Sequence, residues 1–306
     1  MIWAVLTTFL FALSAVSGQR TAIRLGGLTG NAWRLLLSAT VLSAIVLIWY
    51  RDSLAWPTFG WFFISGLIGF GVGDVGLFLA YERIGSRLAV LLNLCLAPVF
   101  AAVSEWIWLG NGLRPAEIGA AFVILTGVAL ALWPSRERVR SAELQGRFSV
   151  GVLSAIVAGF GQGTGAVISR KANEVEHAIG VDVNGISEAG QRVIAGVLVA
   201  WITAWVWNRI HPGRLPSEIS GAKRRGVTFA WLLMAALCGP VIGVSCFQQA
   251  LASMENSGLV LAVVAITPIV LMPMAWLVEK DRPTRLSLIG GILAVGGVIL
   301  IYRLRH

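Results

Sequence analysis

An aspartate at position 74 lies inside the apolar stretch FGVGDVGLFLAYERIG, residues 70–85. In a membrane-spanning helix such a charge costs about 2.5–3.5 kcal/mol on insertion scales and normally faces the bundle interior or water. A carboxylate in that position can hold a cationic group of a substrate or exchange a proton. It can also be a structural group that caps or bridges helices, for example to Arg34, and one aspartate leaves both interpretations open.

Two arginines occupy similar places in two related stretches. Arg34 lies in GNAWRLLLSA (30–39) and Arg192 lies in EAGQRVIAGV (188–197). Near a helix end an arginine can extend its head group to the membrane interface. Alternatively, one of them faces a cavity and binds a carboxylate of the protein or of a substrate.

Uncharged amide side chains form the third group of candidates, because an amide in hydrocarbon needs a hydrogen-bond partner. Such residues either join helices or contact cargo, and we expect at least one to contact cargo. Gln162 belongs to the glycine-rich stretch GFGQGTGA (159–166), which favours a helix that bends. The four amides are Asn93, Gln162, Gln248 and Gln249.

The composition places these residues in a membrane protein. The chain is 57% hydrophobic and 13% charged, whereas soluble domains carry about a quarter charged residues. Because a bilayer core needs roughly 20 apolar residues in helical form, the pattern predicts ten transmembrane helices. They are expected at 2–18, 29–50, 58–81, 87–109, 114–133, 149–169, 187–208, 227–251, 256–278 and 286–302.

The positive net charge has a topological explanation. Most of the 24 Lys and Arg residues fall in loops after the odd-numbered predicted helices, and such loops stay on the cytoplasmic side. We therefore predict no nucleic-acid partner. The three cysteines and three histidines form no metal or disulfide pattern, and phosphate-binding or nucleophile motifs are missing. The sequence thus predicts neither an enzyme, a metal site nor a cofactor.

Internal similarity predicts two copies of a five-helix unit. Residues 94–130 align without gaps with residues 264–300, so that Pro98 meets Pro268. Both prolines are expected to break the backbone hydrogen bonding in the middle of equivalent helices, which makes them hinge candidates. The predicted domains are 1–133, a basic linker 134–148, and 149–306. Because five is odd, the second copy enters the membrane in the opposite sense, as in transporters with inverted repeats.

Two long stretches carry a resemblance to a known family. They are GDVGLFLAYERIGSRLAVLLNLCLAPVFAAVSEWIWLG (73–110) with GAAFVILTGVAL (119–130), and residues 250–300. The chain resembles the EamA family of the drug/metabolite transporter superfamily over essentially its whole length. The resemblance implies an all-α integral membrane protein, with helices one to four and six to nine around a central cavity and helices five and ten at the periphery.

The expected function follows from the repeats and the resemblance. We expect a multi-pass secondary transporter of the inner cell membrane that moves a small polar or amphipathic metabolite, such as an amino-acid-like solute, usually outward by alternating access. The expected partners are this small-molecule substrate and membrane lipid, with protons as a candidate coupling ion and a monomeric or homodimeric chain. The alternative is a flippase for a lipid or a lipid-linked headgroup.

Overall fold

The chain folds into helices throughout the part that the structure describes. The computed structural model covers residues 2–54, 56–109, 115–132, 142–180, 184–211, 222–253, 260, 263–280 and 284–305. Six helical runs within these ranges are long and apolar enough to cross a membrane, and three shorter apolar helices accompany them. The protein is therefore an all-helical integral membrane protein, as the composition predicts.

The helices are numbered here in chain order. The first half contains α1 (Ile2–Leu25), α2 (Gly27–Trp49), α3 (Trp56–Gly66), α4 (Asp74–Leu109) and α5 (Pro115–Leu132). The second half contains α6 (Ala142–Ala178), α7 (Gly185–Ile210), α8 (Ala222–Ala236), α9 (Ile242–Ser253), α10 (Thr267–Glu279) and α11 (Arg285–Arg305). A π-helical turn, Leu67–Gly73, joins α3 to α4, and a second, Leu237–Val241, joins α8 to α9.

Each of the ten predicted segments overlaps a helix, although the third and fourth lie in one continuous run. That run, Trp56–Trp108, has 53 residues, and a straight helix of that length would measure about 80 Å, far more than a bilayer core. Gly85 interrupts it with a φ of 77°, a conformation that suits glycine. The interruption is consistent with two crossings, and the number of crossings stays a prediction.

The predicted linker contains the start of a helix, and the two hinge candidates lie at different places in their helices. Helix α6 already begins at Ala142, inside the predicted linker 134–148, whereas 133–141 lie outside the described residues. Pro98 lies inside α4 as predicted, but Pro268 lies in the first turn of α10, where no helical hydrogen bond is lost. The mid-helix placement of Pro268 is thus wrong, and the interior proline of α10 is Pro273.

Glycines bring α6 against the segment that carries Asp74. A Cβ on Gly76 would lie 2.6 Å from the carbonyl oxygen of Ser154, and one on Gly161 would lie 2.6 Å from the Cα of Gly73. Small residues permit this approach because no side chain separates the backbones. Asp74 follows Gly73 and Gln162 follows Gly161, so this contact places the two polar residues on facing helices.

Helices α5 and α11 pack on each other through a similar contact, which yields a prediction for stability. A Cβ on Gly290 would lie 2.5 Å from the carbonyl oxygen of Gly127, whereas one on Gly296 would have nothing within 4 Å. We expect Gly290→Val to destabilise the protein by about 1–3 kcal/mol, because overpacking forces the helices apart. Thermal unfolding in detergent measures the loss. The matched control is Gly296→Val, and equal unfolding temperatures for the two variants would contradict this account of the α5–α11 interface.

Candidate functional site

A small central cavity collects most of the polar candidates. Its volume is about 70 Å³, and α1, α2, α4, α6, α7, α9 and both π-helical turns contribute to its lining. Among the described lining residues none comes from α5 or α11, which agrees with the peripheral places expected for the fifth and tenth helices. The polar lining includes Ser14, Arg34, Asp74, Asn93, Gln162 and Arg192, and the aromatic lining consists of Phe11, Phe70, Phe78, Tyr81 and Phe247.

A buried ion pair forms one wall of this cavity. The Arg34 guanidinium donates through Nη2 to Oδ2 of Asp74 and also to Oδ1 of Asn31, at 3.0 Å in the second case. Its central carbon lies 4.7 Å from the centre of the Phe78 ring, which adds a cation–π contact. The Arg34 side chain is 5% exposed and that of Asp74 is 16% exposed. Each charge therefore compensates the other in surroundings that screen charge poorly.

The second arginine of the cavity has a different partner. Arg192 donates through Nη1 to the amide oxygen of Gln248 at 2.7 Å, and its guanidinium lies 5.4 Å from the Phe70 ring centre. Gln248 in turn donates to the carboxylate of Glu188 at 2.8 Å. Within the described residues no carboxylate lies within 4.0 Å of the Arg192 nitrogens. The hydrogen-bonded link between Arg192 and the Glu188 carboxylate runs through the Gln248 amide.

Two buried carboxylates near this relay were missed by the sequence analysis. Glu188 is 1% exposed and Glu176 is 2% exposed. Glu176 accepts a hydrogen bond from Thr58 at 3.0 Å. When the Asn173 amide is oriented so that its nitrogen faces acceptors, that nitrogen lies 3.3 Å from a carboxylate oxygen of Glu188. Glu188 precedes Arg192 by one helical turn in EAGQR, and that i, i+4 spacing was the available signal. Buried carboxylates of this kind can carry a proton.

Several polar atoms of the cavity residues lack a hydrogen-bond partner within the described chain. They are Nε of Arg34, Nε of Arg192 and Oδ1 of Asn93. Because buried polar groups are normally hydrogen-bonded, these atoms mark a site suited to a polar ligand. Donors outnumber acceptors among them, so the site favours a ligand with acceptor oxygens near the two arginines.

The structure brings together five of the seven predicted polar candidates. Arg34, Asp74, Asn93, Gln162 and Arg192 all line the cavity. The two arginines are 5% and 4% exposed, so the interpretation that they extend to the interface is wrong.

The other two amides lie outside the cavity lining. Gln248 is fully buried and accepts a hydrogen bond from Arg192, which lies between it and the cavity. Gln249 accepts from the backbone N–H of Gly185 at 3.1 Å and caps the start of α7. For Gln249, joining helices is therefore the role that the geometry supports.

Comparison with known proteins identifies the class. The sequence matches the EamA-like transporter family over residues 1–133 and 149–303. The chain therefore belongs to this family of membrane transporters in the drug/metabolite transporter superfamily, which confirms the resemblance noted in the sequence. The family is one of transporters rather than enzymes.

The remaining comparisons concern the fold. One solved structure, entitled "Crystal structure of protein", superposes with a TM-score of 0.59 at 18% sequence identity. The alignment covers 98% of this chain and 93% of that chain. At this identity the likeness shows the fold alone. Comparison with curated protein sequences gives no match.

The buried ion pair leads to a stability prediction. We expect Asp74→Ala to destabilise the protein by about 3–5 kcal/mol, because it leaves the Arg34 charge buried without compensation. The double variant Arg34→Met/Asp74→Ala should recover part of this loss, since it removes both charges. Thermal unfolding of the wild type, Asp74→Ala, Arg34→Met and the double variant in one detergent measures the coupling.

The control is an exposed charge of the same type. Glu174 is 50% exposed and pairs with Arg170 and Lys171 at the surface, so Glu174→Ala should change stability by about 0–1 kcal/mol. Additive losses in the double variant would contradict the mutual compensation of Arg34 and Asp74.

Proposed function

We propose that the protein is a secondary transporter of the inner cell membrane that exports a small amphipathic metabolite bearing a carboxylate, by alternating access. The observation that carries the proposal is Arg192, a buried guanidinium in the cavity whose described partners are an amide and an aromatic ring. A carboxylate of the substrate would supply the charge that Arg192 lacks.

The other walls of the cavity narrow the substrate class. Asp74 offers a carboxylate to an amino group, while Phe11, Phe70 and Phe247 offer apolar surface. Two arginines and one aspartate give the lining one positive charge in excess, and a substrate carboxylate at Arg192 would compensate it. An amino-acid-like solute with an apolar side chain fits this combination best.

The size of the cavity supports a cycle in which helices move. Ligand pockets usually measure about 300–1,000 Å³, whereas this cavity has a volume of about 70 Å³. A metabolite therefore requires the helices to separate. Both π-helical turns, Leu67–Gly73 and Leu237–Val241, contribute lining residues, and π-helical turns are frequent at functional sites.

The positions of these features favour two inverted repeats. The offset that aligns Pro98 with Pro268 also aligns Leu67 with Leu237, the first residue of each π-helical turn. Two such halves, packed around one cavity, can open it to either side alternately. Pro98, inside α4, remains the better hinge candidate of the two predicted prolines.

A transport experiment tests the substrate class. Purified protein in liposomes loaded with a cellular metabolite extract should release one class of carboxylate-bearing compounds faster than protein-free liposomes, as measured by mass spectrometry. Arg192→Gln should slow that release at least tenfold, because the loss of one charge-assisted hydrogen bond is worth about 1.5–3 kcal/mol.

The matched control is Arg170→Gln, the same substitution at a surface arginine. An unchanged rate of release in the Arg192→Gln variant would contradict the proposal that Arg192 binds the substrate carboxylate. Release of no compound, together with transfer of labelled lipid between leaflets, would favour the flippase alternative.

Proton coupling gives a second functional prediction. If Asp74 carries the coupling proton, Asp74→Asn should abolish the dependence of transport on a pH gradient. Substrate exchange at equal pH should continue with a lower affinity, because the asparagine oxygen still accepts a hydrogen bond from the amino group but carries no charge. Preserved exchange shows that the variant is folded. Glu188→Gln is the comparison variant, because Glu188 is a buried carboxylate outside the cavity lining, and loss of gradient dependence in Glu188→Gln alone would assign the proton to Glu188. Unchanged gradient dependence in Asp74→Asn would remove Asp74 from the coupling mechanism.

A further inference from the structure

Two grooves lie on the outside of the helix pair α2 and α7, one near each end. The first, here the tryptophan groove, has a volume of about 350 Å³. The second, here the amide groove, has a volume of about 270 Å³ and also contacts the start of α3. The tryptophan groove is defined by Thr29, Ala32, Trp33, Trp201, Ala204 and Trp205. The amide groove is defined by Ser43, Val46, Leu47, Ser187, Gly190 and Gln191.

The two grooves occupy corresponding positions in the sequence. The offset that aligns Arg34 with Arg192 converts six of the eight residues that line the tryptophan groove into six of the ten that line the amide groove. Each pair consists of a residue of the tryptophan groove and its counterpart in the amide groove. The pairs are Thr29 with Ser187, Ala32 with Gly190, Trp33 with Gln191, Trp201 with Ser43, Ala204 with Val46, and Trp205 with Leu47.

The tryptophan side chains of the tryptophan groove contact each other or a neighbouring arginine. The rings of Trp33 and Trp201 meet edge to face at 5.2 Å between centroids. The Arg209 guanidinium lies 5.5 Å from the centre of the Trp205 ring. The three tryptophan rings of this groove therefore have aromatic or cationic partners within the chain.

Two polar side chains of the amide groove lack hydrogen-bond partners within the described residues. Gln191, at the place of Trp33, is 2% exposed, and neither its Oε1 nor its Nε2 has a hydrogen-bond partner within the described residues. The hydroxyl of Ser187, 1% exposed, is also without one. A buried amide that makes no hydrogen bond costs roughly 1–3 kcal/mol per group. This groove therefore has polar groups that can form hydrogen bonds with a ligand, next to the apolar side chains of its lining.

The surroundings of the groove identify the kind of ligand. Trp56 is 86% exposed and Leu47 is 62% exposed, and in a membrane protein such apolar surface contacts lipid. The described lining contains no charged side chain, so it suits a neutral ester rather than a phosphate. Gln191 lies in the second turn of α7, and Trp56 begins α3. Tryptophans mark the membrane interface, the depth of the ester groups of a glycerolipid.

We propose that the amide groove binds a membrane glycerolipid, with one acyl chain along Val46, Leu47 and Ile194. The amide Nε2 of Gln191 donates to an ester carbonyl of the lipid, and the Ser187 hydroxyl is a second donor. The headgroup lies outside the groove. This site is separate from the central cavity, because Gln191 and Arg192 contribute to different pockets. The proposal does not depend on the transported substrate.

Photolabelling tests the proposal directly. The full chain is reconstituted with a phosphatidylcholine that carries a diazirine in the upper part of one acyl chain, illuminated, and digested for mass spectrometry. We expect the label to concentrate on Ser43–Leu47 and Gly190–Ile194. Gln191→Leu should reduce this labelling about two- to tenfold, as expected for the loss of one neutral hydrogen bond.

A second variant fills the groove and does not rely on Gln191. Ser43→Trp places in the amide groove the residue type that occupies the corresponding position 201 of the tryptophan groove, and it should abolish labelling there. The matched control is Trp33→Leu in the tryptophan groove, which should leave labelling of the amide groove unchanged.

Three results would overturn the proposal. One is label spread evenly over the lipid-facing helices, and another is equal labelling of the wild type, Gln191→Leu and Ser43→Trp. The third is cross-linking of these segments to a second copy of the chain, which would make the groove a dimer contact. Because the readout is lipid binding, failure here leaves the transport experiment unaffected, and failure of transport leaves this test intact.

Discussion

The ion pair between Arg34 and Asp74 is the constraint around which the first half of the bundle is arranged. Neither charge is tolerable alone in this setting, since removing one partner of a buried pair leaves an uncompensated charge. Asp74 is the first residue after a π-helical turn, and α6 approaches that turn backbone to backbone through glycine. The pair therefore fixes α2 against α4 and forms a wall of the cavity, and the glycine contact holds α6 beside them.

The second half of the bundle surrounds its buried arginine with different partners. The offset that aligns Pro98 with Pro268 places Phe78 and Gln248 at corresponding positions, and each contacts the arginine of its own half. Arg34 meets a carboxylate directly and stacks on the Phe78 ring. Arg192 meets the Gln248 amide, which relays to Glu188. This divergence leaves the cavity with an arginine that no carboxylate neutralises directly, and the proposed recognition of a substrate carboxylate depends on it.

Sequence reasoning reached the membrane class, the family and the central position of Asp74, because hydropathy and charge in an apolar segment act locally. It could not choose between the two roles of Arg34, because a contact across forty residues depends on how the helices pack. It missed Glu188 since a carboxylate close to a predicted helix start looks like an interfacial residue. It misplaced Pro268 because the pattern did not show where α10 begins. These errors concern helix ends and contacts between helices, which periodicity leaves undetermined.

The packing also limits how the cavity can open under the proposed cycle. Helices α4 and α6 meet through glycine backbones, so separating them would lose the close van der Waals packing that the small residues permit. This pair is therefore expected to move as one unit. Helices α2 and α7 instead leave a groove near each end, and side chains rather than backbones fill the space between them. Opening along α2 and α7 breaks fewer close contacts, and a lipid in the amide groove would then occupy the surface that has to move.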